Sequence, residues 1–124
     1  MSTGNVARRL IELCRVGQFD RAVEELYAKD ARSIEMDRQG GVSGGPLVDA
    51  EGLEAIKQKG RRFESSVAKV HGITVSDPLI AGSFFTIAMG FDATYKEGGR
   101  KAMKEVCVYE VRDDKIVREQ FFYS

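Results

Sequence analysis

Histidine, cysteine and proline are scarce in this chain of 124 residues, which has one His, two Cys and two Pro. A metal centre needs three or four ligands at fixed geometry. His71 with scattered glutamates falls short of that, so no metal is expected. Cys14 and Cys107 lie far apart, and no signal-like apolar run opens the sequence. They read as free thiols in a reducing, cytoplasmic compartment. No apolar stretch approaches the roughly 18 residues of a membrane-spanning helix, which predicts no membrane partner. An excess of charge is also missing: Lys+Arg and Asp+Glu each number 19. Nucleic-acid binding usually leaves a basic surplus, so no nucleic-acid partner is expected. The glycine-rich run Gly40, Gly41, Gly44, Gly45 lacks the Gly-Lys-Ser/Thr ending of a phosphate loop. No motif calls for a cofactor.

What is present suits one core. Hydrophobic residues make up 43% and charged residues 31%, which excludes disorder and coiled coil and fits a single domain over 1–124. Val6, Leu10, Leu13 and Cys14 form one apolar stripe, which predicts a helix over 3–16 with Ser2 or Thr3 as cap and Gly17 as its exit. Phe19, Ala22, Val23, Leu26 and Tyr27 predict a second helix over about 18–29. Residues 31–37 read as a short strand. A third helix is expected over about 50–63, with Asp49 as N-cap and Val48 and Leu53 as a hydrophobic staple. Its cluster Lys57, Lys59, Arg61 and Arg62 reads as a solvated face. Strands are expected at about 67–76, 79–96, 100–113 and 115–123, joined by turns at Glu97-Gly98-Gly99 and Asp113-Asp114. Helices followed by tightly connected strands predict an α+β fold with an antiparallel sheet.

Alternation in these strands places apolar residues on both faces. Phe85, Ile87, Met89 and Phe91 share one face, as do Met103, Cys107, Tyr109 and Val111. Val106, Val108 and Phe122 take the other. Three helices cover only one side, so the second cover is expected to be another copy, giving a homodimer.

Three stretches in this order and spacing, Leu26–Ala31, Gly52–Ile56 and Tyr109–Glu119, resemble the SnoaL-like proteins of the nuclear-transport-factor-two-like superfamily, which also contains ketosteroid isomerase. The resemblance extends over nearly the whole chain. It implies a cone: a curved antiparallel sheet wrapped round a pocket, with three N-terminal helices closing the narrow side. It does not imply one chemistry, because such a fold hosts many. Matched residue by residue, the isomerase's catalytic aspartate falls on Glu35. Its two oxyanion donors fall on Leu10 and Cys107, neither of which can replace them, so a dienolate would lack its electrostatic support.

The candidate catalytic residues are therefore Glu35, Glu105, Glu119 and His71. Glu35 in a partly apolar pocket would be desolvated, a state suited to general acid–base work. Removing its charge, as in Glu35→Gln, is expected to leave stability unchanged or improved. By period 2, Glu105 shares a face with Cys107 and Tyr109, and Glu119 with Phe121 and Tyr123, so the glutamates converge on one cavity. Phe85, Met89, Cys107, Tyr109, Phe121 and Tyr123 are the candidate ligand-binding residues. His71 shares a face with Val67, Ile73 and Val75 and would serve as a proton shuttle if it reached a glutamate. The glycine-rich loop after Glu35 suggests a flap. The expected function is a small-molecule pocket, with acid–base catalysis of isomerase, dehydratase or hydrolase type as the first reading. A non-catalytic ligand-binding or structural dimer module is the second.

Overall fold

The computed structural model describes residues 2–36 and 49–123. The glycine-rich loop and Val48 lie outside the described residues. Helix α1 (Thr3–Arg15) starts where the Ser2 hydroxyl accepts the Asn5 N–H, and it ends at Gly17 with φ +75°. Glycine takes this left-handed conformation without steric penalty. Helix α2 (Phe19–Leu26) stops three residues before the expected boundary. Tyr27 continues the helical apolar stripe, yet it turns extended (ψ 143°) and opens strand β1 (Tyr27–Ile34). Pairing with the last strand overrides local helical spacing here.

The start of α3 (Leu53–Ser66) also differs from expectation. Its N-cap is Gly52 at φ +92°, and no side chain caps it. Asp49 instead accepts the backbone N–H of Glu35 at 2.7 Å. Ala50–Glu51 form a short strand, β2, antiparallel to β1. A carboxylate that reads as a cap from sequence is thus used to anchor the segment carrying Glu35.

Strands β3 (Val67–Val75), β4 (Leu79–Ala81), β5 (Phe84–Tyr95), β6 (Gly99–Arg112) and β7 (Lys115–Tyr123) complete the sheet. The expected long strand at 79–96 is two strands, because Gly82 at φ +59° turns β4 back onto β5. The order is β2-β1-β7-β6-β5-β3, with β4 also on β5. The sheet is mixed and not wholly antiparallel, since β1 runs parallel to β7. The long connection through α3 and the intervening strands lets the first strand enter beside the last without a hairpin. The result is a curled, unclosed seven-stranded sheet with three helices against one face.

That face forms the core. Val6, Leu10 and Leu13 of α1 pack with Phe85, Ile87, Cys107 and Tyr109 of β5 and β6. The Phe85 and Tyr109 rings stack at 4.7 Å. The opposite face keeps Val106 and Phe122 as register partners that are 46% and 44% exposed. Ile87 is 2% exposed in the packed part of the core. Ile87→Ala is expected to lower stability by about 2–5 kcal/mol through lost burial and a residual cavity. A shift of the urea midpoint at constant slope measures it.

Candidate functional site

Between the helices and the inner sheet face lies a cavity of about 190 Å³. Its walls are mainly apolar: Leu10, Ile56, Phe63, Met89, Phe91 and Phe121 are among them. Into it project Glu35, Lys59, Glu105 and Glu119, and Glu64 also lines it. The sheet register explains the convergence. Glu105 is paired with Tyr123 and Met89, Cys107 with Phe121, and Tyr109 with Glu119. Directly paired residues point to the same side, so one face gathers all of them.

A chain of polar contacts crosses this site. The Tyr123 hydroxyl donates to Oε1 of Glu35 at 2.9 Å. Oε2 of Glu35 pairs with the Lys59 ammonium. Lys59 Nζ donates to Ser33 Oγ at 2.7 Å and stands 5.1 Å from the Phe121 ring centre. Ser33 also hydrogen-bonds Glu119, and the Tyr27 hydroxyl donates to Glu119 Oε1. Glu35, Lys59, Glu119 and Ser33 are all buried. Each would be unfavourable alone, and each has partners.

The charges in the cavity are uneven. Burial, and then the charge of Glu35, raises Glu105 to about 7. Burial raises Glu119 as well, against hydrogen bonds from Tyr27 and Ser33 that oppose it. Burial likewise lifts Cys14 to about 12 and raises Cys107 further still, so neither is a ready thiolate.

The sequence-derived candidates separate clearly. Glu35, Glu105, Glu119, Met89, Tyr109 and Phe121 line the cavity. Tyr123 reaches it through Glu35. Phe85 and Cys107 are packed in the core beneath and are not lining residues. His71 is exposed, bonded to Thr94 Oγ1 at 2.7 Å, and takes no part in the lining. Register shifts between Val67 and Lys69 and between Val70 and Gly72 break the period-2 alternation. The face count that grouped His71 with Ile73 and Val75 therefore fails. Among the described residues no His/Cys/Asp/Glu group could hold a metal ion.

Lys59 is the residue that sequence reasoning missed. It reads as part of a solvated basic face, yet it is only 6% exposed. The signal was its spacing: Ile56, Lys59, Gly60 and Phe63 are i, i+3, i+4 and i+7, one helical stripe. Lys57, by contrast, pairs with Glu24 of α2. Tyr27 was legible only as a packing residue.

The curled sheet and the helical cover define a cone-type fold of α+β class, with the carboxylate-lined cavity between them. The model of the SnoaL-like domain family matches residues 1–123, and the chain belongs to that family. A solved structure from Mesorhizobium loti, provisionally named a SnoaL-like polyketide cyclase [carbohydrate phosphatase], is 33% identical. That match covers 99% of this chain and 100% of the other, at a TM-score of 0.87. A nuclear-transport-factor-two-like protein of unknown function from Burkholderia pseudomallei is 17% identical, covering 100% and 92% at 0.81. A nuclear-transport-factor-two-like protein from Burkholderia thailandensis is 15% identical, also covering 100% and 92% at 0.81. The last two show the fold alone. No curated protein matches the sequence significantly.

The Lys59 ammonium reverses the expectation for Glu35→Gln. The substitution leaves a buried cation without its counter-charge, so it is expected to destabilise by about 3–5 kcal/mol. Glu35→Gln combined with Lys59→Met should recover most of that loss, because both charges are then gone from the interior. A double-mutant cycle on urea midpoints checks the coupling.

Proposed function

We propose that the chain is an acid–base enzyme acting on a small molecule in the cavity between its helices and its sheet. The observation that carries this is Glu105, a cavity carboxyl held at about 7 by burial and by the neighbouring Glu35. A group titrating near neutrality can both take and return a proton, and a positioned one contributes roughly 10²–10⁴ in rate. The roles expected from sequence shift accordingly. Glu105 is the proton carrier, and Glu35, fixed by Lys59 and Tyr123, sets the field around it. Glu119 and Tyr27 form the second polar pair at the apolar wall. Isomerisation, dehydration and hydrolysis all fit this arrangement.

The sign for stability follows from the raised value. Folding favours protonated Glu105, so its contribution is fully present below the unfolded value of about 4.3 and is lost as pH rises through about 7. Glu105→Gln should therefore match the parent at acid pH and exceed it at alkaline pH, by up to about 3 kcal/mol. Carbon-13 NMR of the glutamate carboxyls should show one group titrating near 7 that is missing in Glu105→Gln. The same variant should lose deuterium exchange into a panel of small carbonyl compounds. If the panel binds but does not exchange in the parent, the cavity is a binding module.

The chain is also proposed to act as a homodimer through the outer sheet face. The exposed pair Val106–Phe122 supports this, with Phe84 and Leu79 exposed further along the same face. A stable interface buries on the order of 1,200 Å² or more. Light scattering at micromolar concentration should give about twice 13.8 kDa. Val106→Glu should give the monomer with unchanged circular dichroism.

A further inference from the structure

We propose that the ligand of this cavity is a small organic cation, of the alkylammonium class, seated against the aromatic wall with its charge met by the cavity carboxylates. This rests on the acid–base reading of the same site and adds the chemistry of the molecule it takes.

Two independent features of the cavity point to it. The first is the lining: among the described residues four carboxyl groups (Glu35, Glu64, Glu105 and Glu119) and one cation, Lys59, line the space. That cation is already engaged by Glu35 and Ser33. Among the described residues an anionic ligand would find no unengaged cation, whereas a cationic ligand would be met by the carboxyl groups and would favour their ionised forms.

The second is an aromatic wall beside Glu105. Phe91 pairs with Met103 and Met89 with Glu105, so Phe91 stands two residues along the same face from the position opposite Glu105. Phe63 of α3 lies 5.4 Å from Phe91, and Phe19 of α2 lies 6.2 Å from it. All three rings line the cavity. Ring faces attract a desolvated ammonium through their quadrupoles, and Met89 and Met103 add polarisable thioethers. Glu64 follows Phe63 on α3, is exposed and also lines the cavity. The volume of about 190 Å³ suits a molecule the size of choline.

The bound cation has a consequence for the chemistry. A positive charge near Glu105 stabilises its ionised form, so binding converts a half-protonated carboxyl into a proton acceptor. The other groups facing Glu105 are Cys14 of α1, Glu35 on the segment after β1, and Lys59 of α3. From β5 and β7 come Tyr95, Glu119 and Tyr123, and Cys107 adjoins it on β6. Of these, Lys59 alone is cationic, and the cation of the ligand adds to its effect.

The test compares choline with its uncharged isostere 3,3-dimethylbutan-1-ol, by calorimetry on the full chain. Choline is expected to bind at least about tenfold more tightly. Its affinity should rise from about pH 6 to about pH 8 as Glu105 ionises, while the isostere's stays flat. Glu105→Gln should remove the pH dependence, and Phe63→Leu should cut the choline preference while sparing the isostere. Equal binding of both probes, or no binding of either at millimolar concentration, overturns the proposal. The carboxyl titration of the ligand-free protein separates the two readings. If Glu105 still titrates near 7 when choline shows no preference, the cation is wrong and the acid–base reading stands. If Glu105 titrates near the ordinary carboxylate value, the acid–base reading falls by itself.

Discussion

The ion pair between Lys59 and Glu35 organises this molecule's interior. A lysine buried in an apolar cavity is tolerable only with a counter-charge and hydrogen-bond partners, and Glu35 and Ser33 supply both. The pair ties α3 to the segment after β1, and Tyr123 extends the tie to the end of β7. Asp49 holds the Glu35 backbone from the other side. Once Glu35 is fixed as a charge, its neighbour Glu105 is left facing it across a poorly solvated space. The neutral form of Glu105 is then favoured up to about pH 7. Burial is the larger cause of that shift, and the fixed charge of Glu35 adds to it.

The sheet topology makes this possible. Because β1 runs parallel to β7, the chain leaving β1 carries Glu35 to the side of the sheet where β6 and β7 present Glu105, Glu119 and Tyr123. The curl brings these strands round a common space, and the helices close it with apolar stripes. Tyr27, at the junction of α2 and β1, joins helix to sheet and hydroxyl to carboxylate at one position. Such a site is polar by network and apolar by wall, which suits a small ligand held by few directed contacts.

Family membership places the chain among proteins of shared architecture without assigning a reaction. The two positions matched to the oxyanion donors of ketosteroid isomerase hold Leu10 and Cys107 here. Leu10 lines the cavity, and Cys107 is a buried thiol that desolvation holds protonated. The polar groups gathered at the cavity here are instead carboxyl groups, a lysine and tyrosines, a set with different electrostatic preferences.

Local pattern was enough to specify much of the fold. Helical stripes set α1 and most of α2, turn residues set the β5–β6 and β6–β7 hairpins, and period 2 in the stretches of β6 and β7 clear of the bulge at Glu110/Val111 placed Glu105 and Glu119 inward. These features depend on neighbours close in sequence, where spacing alone dictates direction. What tertiary structure decided lies wherever a distant partner competes with the local signal. Pairing with β7 ended α2 at Leu26 and set β1 parallel. Bulges in β3 turned His71 outward despite its apolar company. The capping pattern at Asp49 yielded to a bond with the Glu35 backbone. Lys59 belonged by spacing to a buried stripe and by chemistry to the surface. Only the carboxylate of Glu35, 24 positions earlier and carried on another element, determined that its charge would lie inside.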